Sequence, residues 1–257
     1  MQPFNHFGLA LFASVASLAL AGEIGLRLGR RHRGHSDAEG RSQISMVEGA
    51  LLGLLALLLG FTFSMAAGRY DVRQELVTRE ANAIGTVALR SDFLPEASRK
   101  AFRNTLLAYA EIRMEFVRAG VNEEELAKAL ETANRLEAEL WTAAMETTRP
   151  GSWGPPILLV AALNDLFDLR ESRMSALHNR VPLSIWIVLY VVAGLAMGAL
   201  GLGSGLTGRR ITLSIHLMPI LLAVILTLLV DLDHPRKGLI RVSQDSMVRV
   251  IEGLKRS

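Results

Sequence analysis

The side chains that could bind a metal or act as nucleophiles are few in this sequence and lie far apart. Cysteine is absent, which excludes disulfides, thiolate nucleophiles and cysteine-based zinc sites. His32 and His35 lie in the polar stretch 27–42 without further ligands nearby, so we interpret this stretch as a solvated loop. Asp231 and Asp233 follow an apolar stretch, but this spacing does not put both on one face of a helix. We expect a helix end that meets lipid headgroups there, and we predict neither a metal site nor a cofactor.

The signature motifs of common enzyme classes are also missing. The sequence contains no Gly-x-Ser-x-Gly nucleophile elbow, no His-Glu-x-x-His zinc helix and no phosphate-binding loop. The glycine-rich run from Gly201 to Gly208 follows an apolar stretch and carries no lysine, so we predict a hairpin turn. The net charge of +3 comes without a basic block interleaved with aromatic residues. The sequence therefore favours neither an enzyme nor a nucleic-acid-binding protein.

Four apolar segments are long enough to cross a bilayer, at residues 4–28, 49–68, 183–202 and 211–230. About 20 apolar residues in a helix span the hydrocarbon core of ~30 Å. Residues 1–7 carry no lysine or arginine, so we prefer an uncleaved first span to a signal peptide. The mean hydropathy of +0.30 indicates these spans together with one sizeable soluble part.

Residues 69–180 predict that soluble part, built from helices. Apolar side chains recur there at helical spacing, without the alternation that is typical of strands. Asn122 and Glu125 form a capping box at one helix start, and RPGSWGPP at 149–156 predicts a loop. We predict an all-α fold with transmembrane helices 1 and 2 at 1–68, the soluble helical domain at 69–180, transmembrane helices 3 and 4 at 181–231, and a basic amphipathic tail at 232–257. The tail could lie on the membrane surface or between subunits.

The second apolar segment carries a stripe of small residues. They recur at spacings of three or four residues, as Gly49, Gly53, Ala56, Gly60, Ser64, Ala67 and Gly68. Small residues let another helix approach closely where lipid removes the hydrophobic drive for association. Gly49, Gly60 and Gly68 are therefore predicted helix-packing residues. Their partner is open, because it could be another span of the same chain, a second subunit, or a pore that this stripe faces.

The continuation of this segment carries a resemblance to a known family. Gly60 and Phe61 are followed by Arg69 and Tyr70 on a predicted helix that no proline interrupts. This arrangement resembles the second membrane helix of bestrophins. The stretch GFTFSMAAGRYDVRQELVTREANAIGT and the tail DLDHPRKGLIRVSQ resemble the bacterial bestrophin-like membrane proteins, a group classed as a domain of unknown function.

The resemblance implies an oligomeric ion channel, a pentamer in bestrophins, in which the second helix of each subunit lines the pore. It implies that Phe61, Leu57 and Gly53 occupy the three positions of an apolar pore constriction. Gly53 departs from the family, which has a bulky residue there, so the constriction would be wider or shorter.

The resemblance also implies roles near the mouth of the pore. Arg69, Tyr70 and Ser64 would lie at the mouth or affect selectivity, with Tyr70 in place of the tryptophan of bestrophins. The acidic calcium-binding cluster of animal bestrophins has no counterpart in this sequence, so calcium gating is not implied.

Four spans put both termini and the soluble region on the same side of the membrane. Lysine and arginine are more numerous near the span ends on that side, but the stretch 27–42 opposite is locally rich in arginine, so the positive-inside rule leaves the orientation open. Bestrophins have cytoplasmic termini, so the resemblance implies a cytosolic helical bundle inserted between spans 2 and 3, in the inner (plasma) membrane. The implied partners are bilayer lipid, inorganic ions and further copies of the chain.

A second function remains open at this point. Long helices that continue from membrane spans into a soluble bundle could also form a membrane-anchored interaction or signalling module that conducts no ions.

Overall fold

The computed structural model describes residues 2–35, 38–120, 122–146, 155–208, 212–234 and 238–256. Within these ranges the chain contains helices and no strand, which confirms the predicted all-α fold. The helices are α1 (Gln2–His32), α2 (Ala38–Arg90), α3 (Glu96–Arg118), α4 (Glu123–Met145), α5 (Pro155–His178), α6 (Leu183–Thr207), α7 (Thr212–Asp233) and α8 (Asp245–Arg256), with single 3-10 turns at Arg33–His35 and Ser91–Phe93.

The single long helix predicted for the second apolar segment and its charged continuation is confirmed as α2, which has no internal proline. The polar loop predicted over residues 27–42 is wrong at both ends, because α1 continues to His32 and α2 already begins at Ala38. Arginine is nearly as good a helix former as leucine. The Arg27 side chain also donates to Glu23 one turn earlier, at 2.8 Å, so the charged residues extend the helix beyond the apolar span.

The chain divides into two compact units. The first comprises Met1–Arg69 and Arg180–Ile240, and the second comprises Tyr70–Asn179 and Arg241–Ser257. The predicted tail at 232–257 is thus split between the units after Ile240. Most of the predicted loop at 149–156 lies outside the described residues, and α5 begins at Pro155.

The first unit holds the apolar helices. Four stretches of the described residues are long and apolar enough to cross a membrane, at Phe7–His32, within Ala38–Phe93, within Pro156–Thr207 and at His216–Asp233. The four predicted spans are therefore confirmed by length and composition.

The hairpin turn predicted from Gly201 to Gly208 is wrong, because α6 continues to Thr207. Only Gly208 has the left-handed backbone conformation, with φ of 64°, that commonly ends a helix. The other glycines of this run lie inside the helix, where they serve packing rather than a turn.

Glycines bring α6 against α1 within the first unit. A Cβ on Gly201 would lie 2.9 Å from the backbone nitrogen of Leu26, and a Cβ on Gly205 would lie 2.8 Å from that of Arg30. On the α1 side, a Cβ on Gly25 would lie 2.8 Å from the carbonyl carbon of Gly198. Real Cβ atoms do not approach other atoms this closely, so only glycine permits this contact between the two backbones.

The carboxylates at the end of α7 organise the first unit rather than meeting headgroups. The buried Asp233 side chain accepts the Val181 N–H at 3.0 Å, and the buried Asp231 side chain accepts the Leu239 N–H at 2.8 Å. A Cβ on Gly238 would lie 2.7 Å from Asp231 Oδ1, so glycine is required beside this carboxylate. The headgroup interpretation is therefore wrong for both aspartates, which satisfy backbone donors instead.

The second unit is a helical bundle with its own core. Asn122 caps α4, since its side-chain oxygen accepts the Glu124 and Glu125 N–H groups at 3.2 and 3.4 Å, as the capping motif predicts. The core residues come from α2, α3, α4, α5 and α8, and include Ile84, Val87, Phe102, Leu106, Tyr109, Leu140, Leu163, Leu166 and Met247. The apolar residues Met247, Val250, Ile251 and Leu254 of α8 pack in or against this core, and the place of the tail relative to the membrane stays a prediction.

We predict that Gly201→Ala lowers the melting temperature of the detergent-solubilised protein, because the added methyl group forces α1 and α6 apart at a cost of about 1–3 kcal/mol. Gly194→Ala on the same helix is the matched control, since a Cβ there meets nothing within 4 Å. The melting temperature of this control should equal or exceed that of the wild type, because alanine favours a helix over glycine by about 1 kcal/mol. Equal melting temperatures for the two variants would contradict the close contact of α1 and α6.

Candidate functional site

α2 presents two different faces in the first unit. Leu55, Thr62 and Ala66 are buried, and Leu55 packs in a core formed with residues of α1, α6 and α7. The other face is uncovered within the chain, with Phe61 64% and Leu57 55% exposed. These two large apolar side chains lie one helical turn apart, so they point in similar directions.

The small-residue stripe belongs to the uncovered face. A Cβ added to Gly49, Gly53, Gly60 or Gly68 would meet nothing within 4 Å, and Ser64 is also exposed. Among the described residues, therefore, no other span packs against these glycines, which was one of the alternatives for the stripe. What remains for them is lipid, a second copy of the chain, or a pore.

Arg69 and Tyr70 both contact backbone carbonyls. In the first unit the Arg69 guanidinium donates to the Met65 carbonyl at 3.4 Å and is half-buried. In the second unit the Tyr70 hydroxyl donates to the Arg241 carbonyl at 3.4 Å. Their predicted role at a pore mouth stays a prediction.

A buried ionic centre in the second unit escaped the sequence analysis. The carboxylate of Glu80, whose side chain is 0% exposed, accepts from Arg113 Nε and from Arg173 Nη1, each at 2.6 Å. Arg173 also donates to Gln244 Oε1 at 2.7 Å. The centre thereby joins α2, α3, α5 and the start of the C-terminal segment. Its sequence signal was a glutamate among the apolar positions of α2, between Val77 and Ile84.

Two further polar contacts hold the same part of α2 in the second unit. The buried Arg73 donates to the carbonyls of Ala176 and Asn179 at 3.1 and 2.9 Å, which satisfies acceptors at the end of α5. The Gln74 side chain accepts the Ser243 N–H at 2.9 Å. Polar side chains of α2 thus hold both the end of α5 and the segment before α8.

A second ion pair lies between α4 and α5. Arg170 donates to Glu137 Oε2 at 2.7 Å, and both side chains are largely buried. Burial raises the pKa of Glu137, although the positive charge of Arg170 opposes that rise. Burial also raises the pKa of Tyr109 well above its usual value, so this phenol is neutral at physiological pH. The Arg170–Glu137 pair links α4 to α5 within the bundle.

Among the described residues, no group of three or more histidine and carboxylate side chains could hold a metal ion.

The chain is similar to one known protein family and to several solved structures. The family described as Bestrophin-like domain matches residues 15–247. No curated protein sequence matches the chain. Similar solved structures include a variant of a membrane protein, with TM-score 0.66 and 16% identity over 94% of this chain and 95% of that chain.

Structures of a bacterial bestrophin homologue from Klebsiella pneumoniae are also similar. Two variants of that protein each have TM-score 0.65. The first is 13% identical over 96% of this chain and 98% of that chain. The second is 16% identical over 96% of this chain and 97% of that chain. Identities this low show a shared fold, and this fold is shared over nearly the whole length of both chains.

We predict that Glu80→Gln lowers the stability of the second unit by about 3–5 kcal/mol, because it leaves two buried guanidinium groups without a counter-charge. Burial alone would lower the pKa of Arg113, but the Glu80 carboxylate raises it, so the guanidinium stays charged. Glu75→Gln is the control, since Glu75 and Arg79 pair on the surface, where such pairs contribute about 1 kcal/mol or less. Similar melting temperatures for the two variants would show that the ionic centre is not structurally important.

Proposed function

The chain belongs to the bestrophin-like family, and on that premise we propose that this membrane protein is an oligomeric ion channel whose pore is lined by α2. One observation carries the proposal, namely that the face of α2 bearing Leu57 and Phe61 is uncovered within the chain. Such a pore does not require a polar cavity inside one subunit. Several copies of the chain arranged around an axis enclose the pore between their α2 faces.

Leu57 and Phe61 form the constriction of the proposed pore. Each subunit contributes both side chains, so the copies make two adjacent apolar rings. A narrow apolar ring resists wetting and limits conduction without any charged barrier. Gly53 adds no side chain one turn earlier, so the constriction consists of two rings rather than three.

The glycine stripe supports the assembly of subunits. A Cβ at Gly49, Gly60 or Gly68 would meet no atom within 4 Å in the part of the chain that the structure describes, so a neighbouring helix can approach their backbone. Small residues serve this purpose in membranes, and a head-to-tail contact that closes makes a ring. By resemblance to bestrophins we propose a pentamer.

Arg69, Tyr70 and Ser64 follow the constriction towards the second unit. We propose that a ring of Arg69 guanidinium groups raises the local concentration of anions at the mouth. The family resemblance supports an orientation in the inner (plasma) membrane in which the second unit and both termini are cytoplasmic. A topology reporter fused after Ser257 tests this orientation, and a periplasmic signal would contradict it.

Planar-bilayer recordings of the reconstituted protein test the proposed pore. Phe61→Ala should increase the single-channel current several-fold, because it removes the larger of the two apolar rings. Arg69→Glu should shift the reversal potential towards cation selectivity, because it inverts the charge at the mouth.

Phe63→Ala is the matched control for Phe61→Ala. Phe63 is also an uncovered phenylalanine of α2, 59% exposed, but it points about 160° away from Phe61 around the helix. The single-channel current of Phe63→Ala should equal that of the wild type. Silent recordings from folded, inserted wild type and variants would contradict the channel and favour the non-conducting interaction or signalling module.

A further inference from the structure

A polar ridge of α2 in the second unit separates two grooves. Asn82 and Thr86 are exposed on this ridge and line both grooves. The opposite side of the helix carries the buried Glu80 and Ile84. The two grooves are therefore the two flanks of one uncovered helix surface.

The groove between α2 and α8, here called the basic groove, has a volume of about 710 Å³. Its floor includes Ala81, Gly85 and Gly253, which leave space because they have small side chains or none. Arg249 lies on the rim and is exposed. Its guanidinium donates to Ser246 Oγ at 3.1 Å and has no acidic partner in the part of the chain that the structure describes.

The groove between α2 and α5, here called the acidic groove, has a volume of about 470 Å³. Asp165 and Asp168 line it and are exposed. Neither carboxylate forms an ion pair or hydrogen bond with another described residue. Arg79 also lines this groove, but it pairs with Glu75 of its own helix at 3.4 Å.

We propose that the basic groove of one copy of this chain binds the acidic groove flank of the next copy, with Arg249 facing Asp165 and Asp168 across the contact. The unneutralised charges are of opposite sign and lie on opposite flanks of the same ridge. Such complementarity favours association and fixes the register of two partners. Because the two contacting surfaces differ, the contact is head-to-tail, and it forms a ring when the rotation between successive copies closes.

This proposal rests on the proposed function and extends it to the second unit. When both flanks of the ridge contact neighbours, the ridge itself stays uncovered between them. Asn82 and Thr86 then face the axis of the ring that the second units form. The pairing of Arg249 with Asp165 and Asp168 favours a neighbour in this orientation. Two basic grooves, or two acidic grooves, would repel each other.

Cysteine cross-linking tests the contact directly, because the chain contains no cysteine of its own. The full-length protein carrying both Arg249→Cys and Asp168→Cys should give, on mild oxidation in membranes, a ladder of cross-linked species up to the closed oligomer. Each single variant should give no ladder, because the proposed contact places Arg249 of one copy against the acidic groove of the next copy and not against its own counterpart. The pair Lys128→Cys and Asp168→Cys is the control, since Lys128 is exposed on α4, outside both grooves, and it should give no ladder.

The outcomes distinguish this contact from the proposed channel. An oligomeric mass without a ladder overturns the groove contact and leaves the pore proposal standing. A dimer band from the single Arg249→Cys variant also overturns it, because it shows a two-fold contact. A monomeric mass for the wild type overturns both proposals.

A charge exchange provides a second measurement. Arg249→Asp should lower the fraction of intact oligomer after dilution in detergent at low salt by about two- to fivefold, the range of exposed ion pairs. Combining it with Asp165→Arg and Asp168→Arg should restore that fraction, and high salt should reduce the difference by screening. Failure of the combined variant to recover, with a melting temperature equal to that of the wild type, would contradict the charge pairing.

Discussion

The ion pairs of Glu80 fix the rotation of α2 about its own axis in the second unit. The carboxylate lies between Arg113 and Arg173 at 2.6 Å from each, and no rotation of the helix keeps both contacts. A buried charge that loses its partner is strongly destabilising, so the face of α2 that carries Glu80 must stay in the core. Consequently the ridge of Asn82 and Thr86 must stay outside, and the two grooves beside it remain open to a partner.

In the first unit the corresponding constraint is close packing rather than charge. The contact of α1 with α6 through Gly25, Gly201 and Gly205 lets these two backbones approach closely. α2 joins this core through Leu55 and its neighbours, and its glycines are not used there. The described residues leave this stripe uncovered beside the exposed Leu57 and Phe61, and this supports the proposed oligomeric pore.

The sequence predicted the fold well where periodicity and length determine it. The continuity of α2 through Arg69, the four apolar spans and the cap at Asn122 each depend on local patterns that the residues show directly. Boundaries were less predictable, since Arg27–His32 extend α1 although they look like a loop by polarity. The glycines from Gly201 onwards resemble a turn in sequence, and only the position of α1 shows that they pack inside a helix.

The candidate site was predictable in part for the same reason. The face shared by Leu57 and Phe61 follows from helical spacing, whereas the partner of the glycine stripe depends on which surfaces the fold covers. The ionic centre of Glu80 joins residues that are 33 and 93 positions apart in sequence, and the roles of Asp231 and Asp233 also depend on distant backbone donors. Contacts of this kind depend on tertiary structure, so no local pattern in one sequence could predict them.

Thiol modification of a conducting channel tests most directly whether α2 lines the pore. The cysteine-free wild type should be insensitive to a small water-soluble thiol reagent, whereas the current through the Phe61→Cys variant should be blocked after the reagent has attached. The Phe63→Cys variant should keep its current when modified to the same extent, as measured by intact mass. Unchanged current through fully modified Phe61→Cys protein would contradict the claim that this face of α2 encloses the path of the ion.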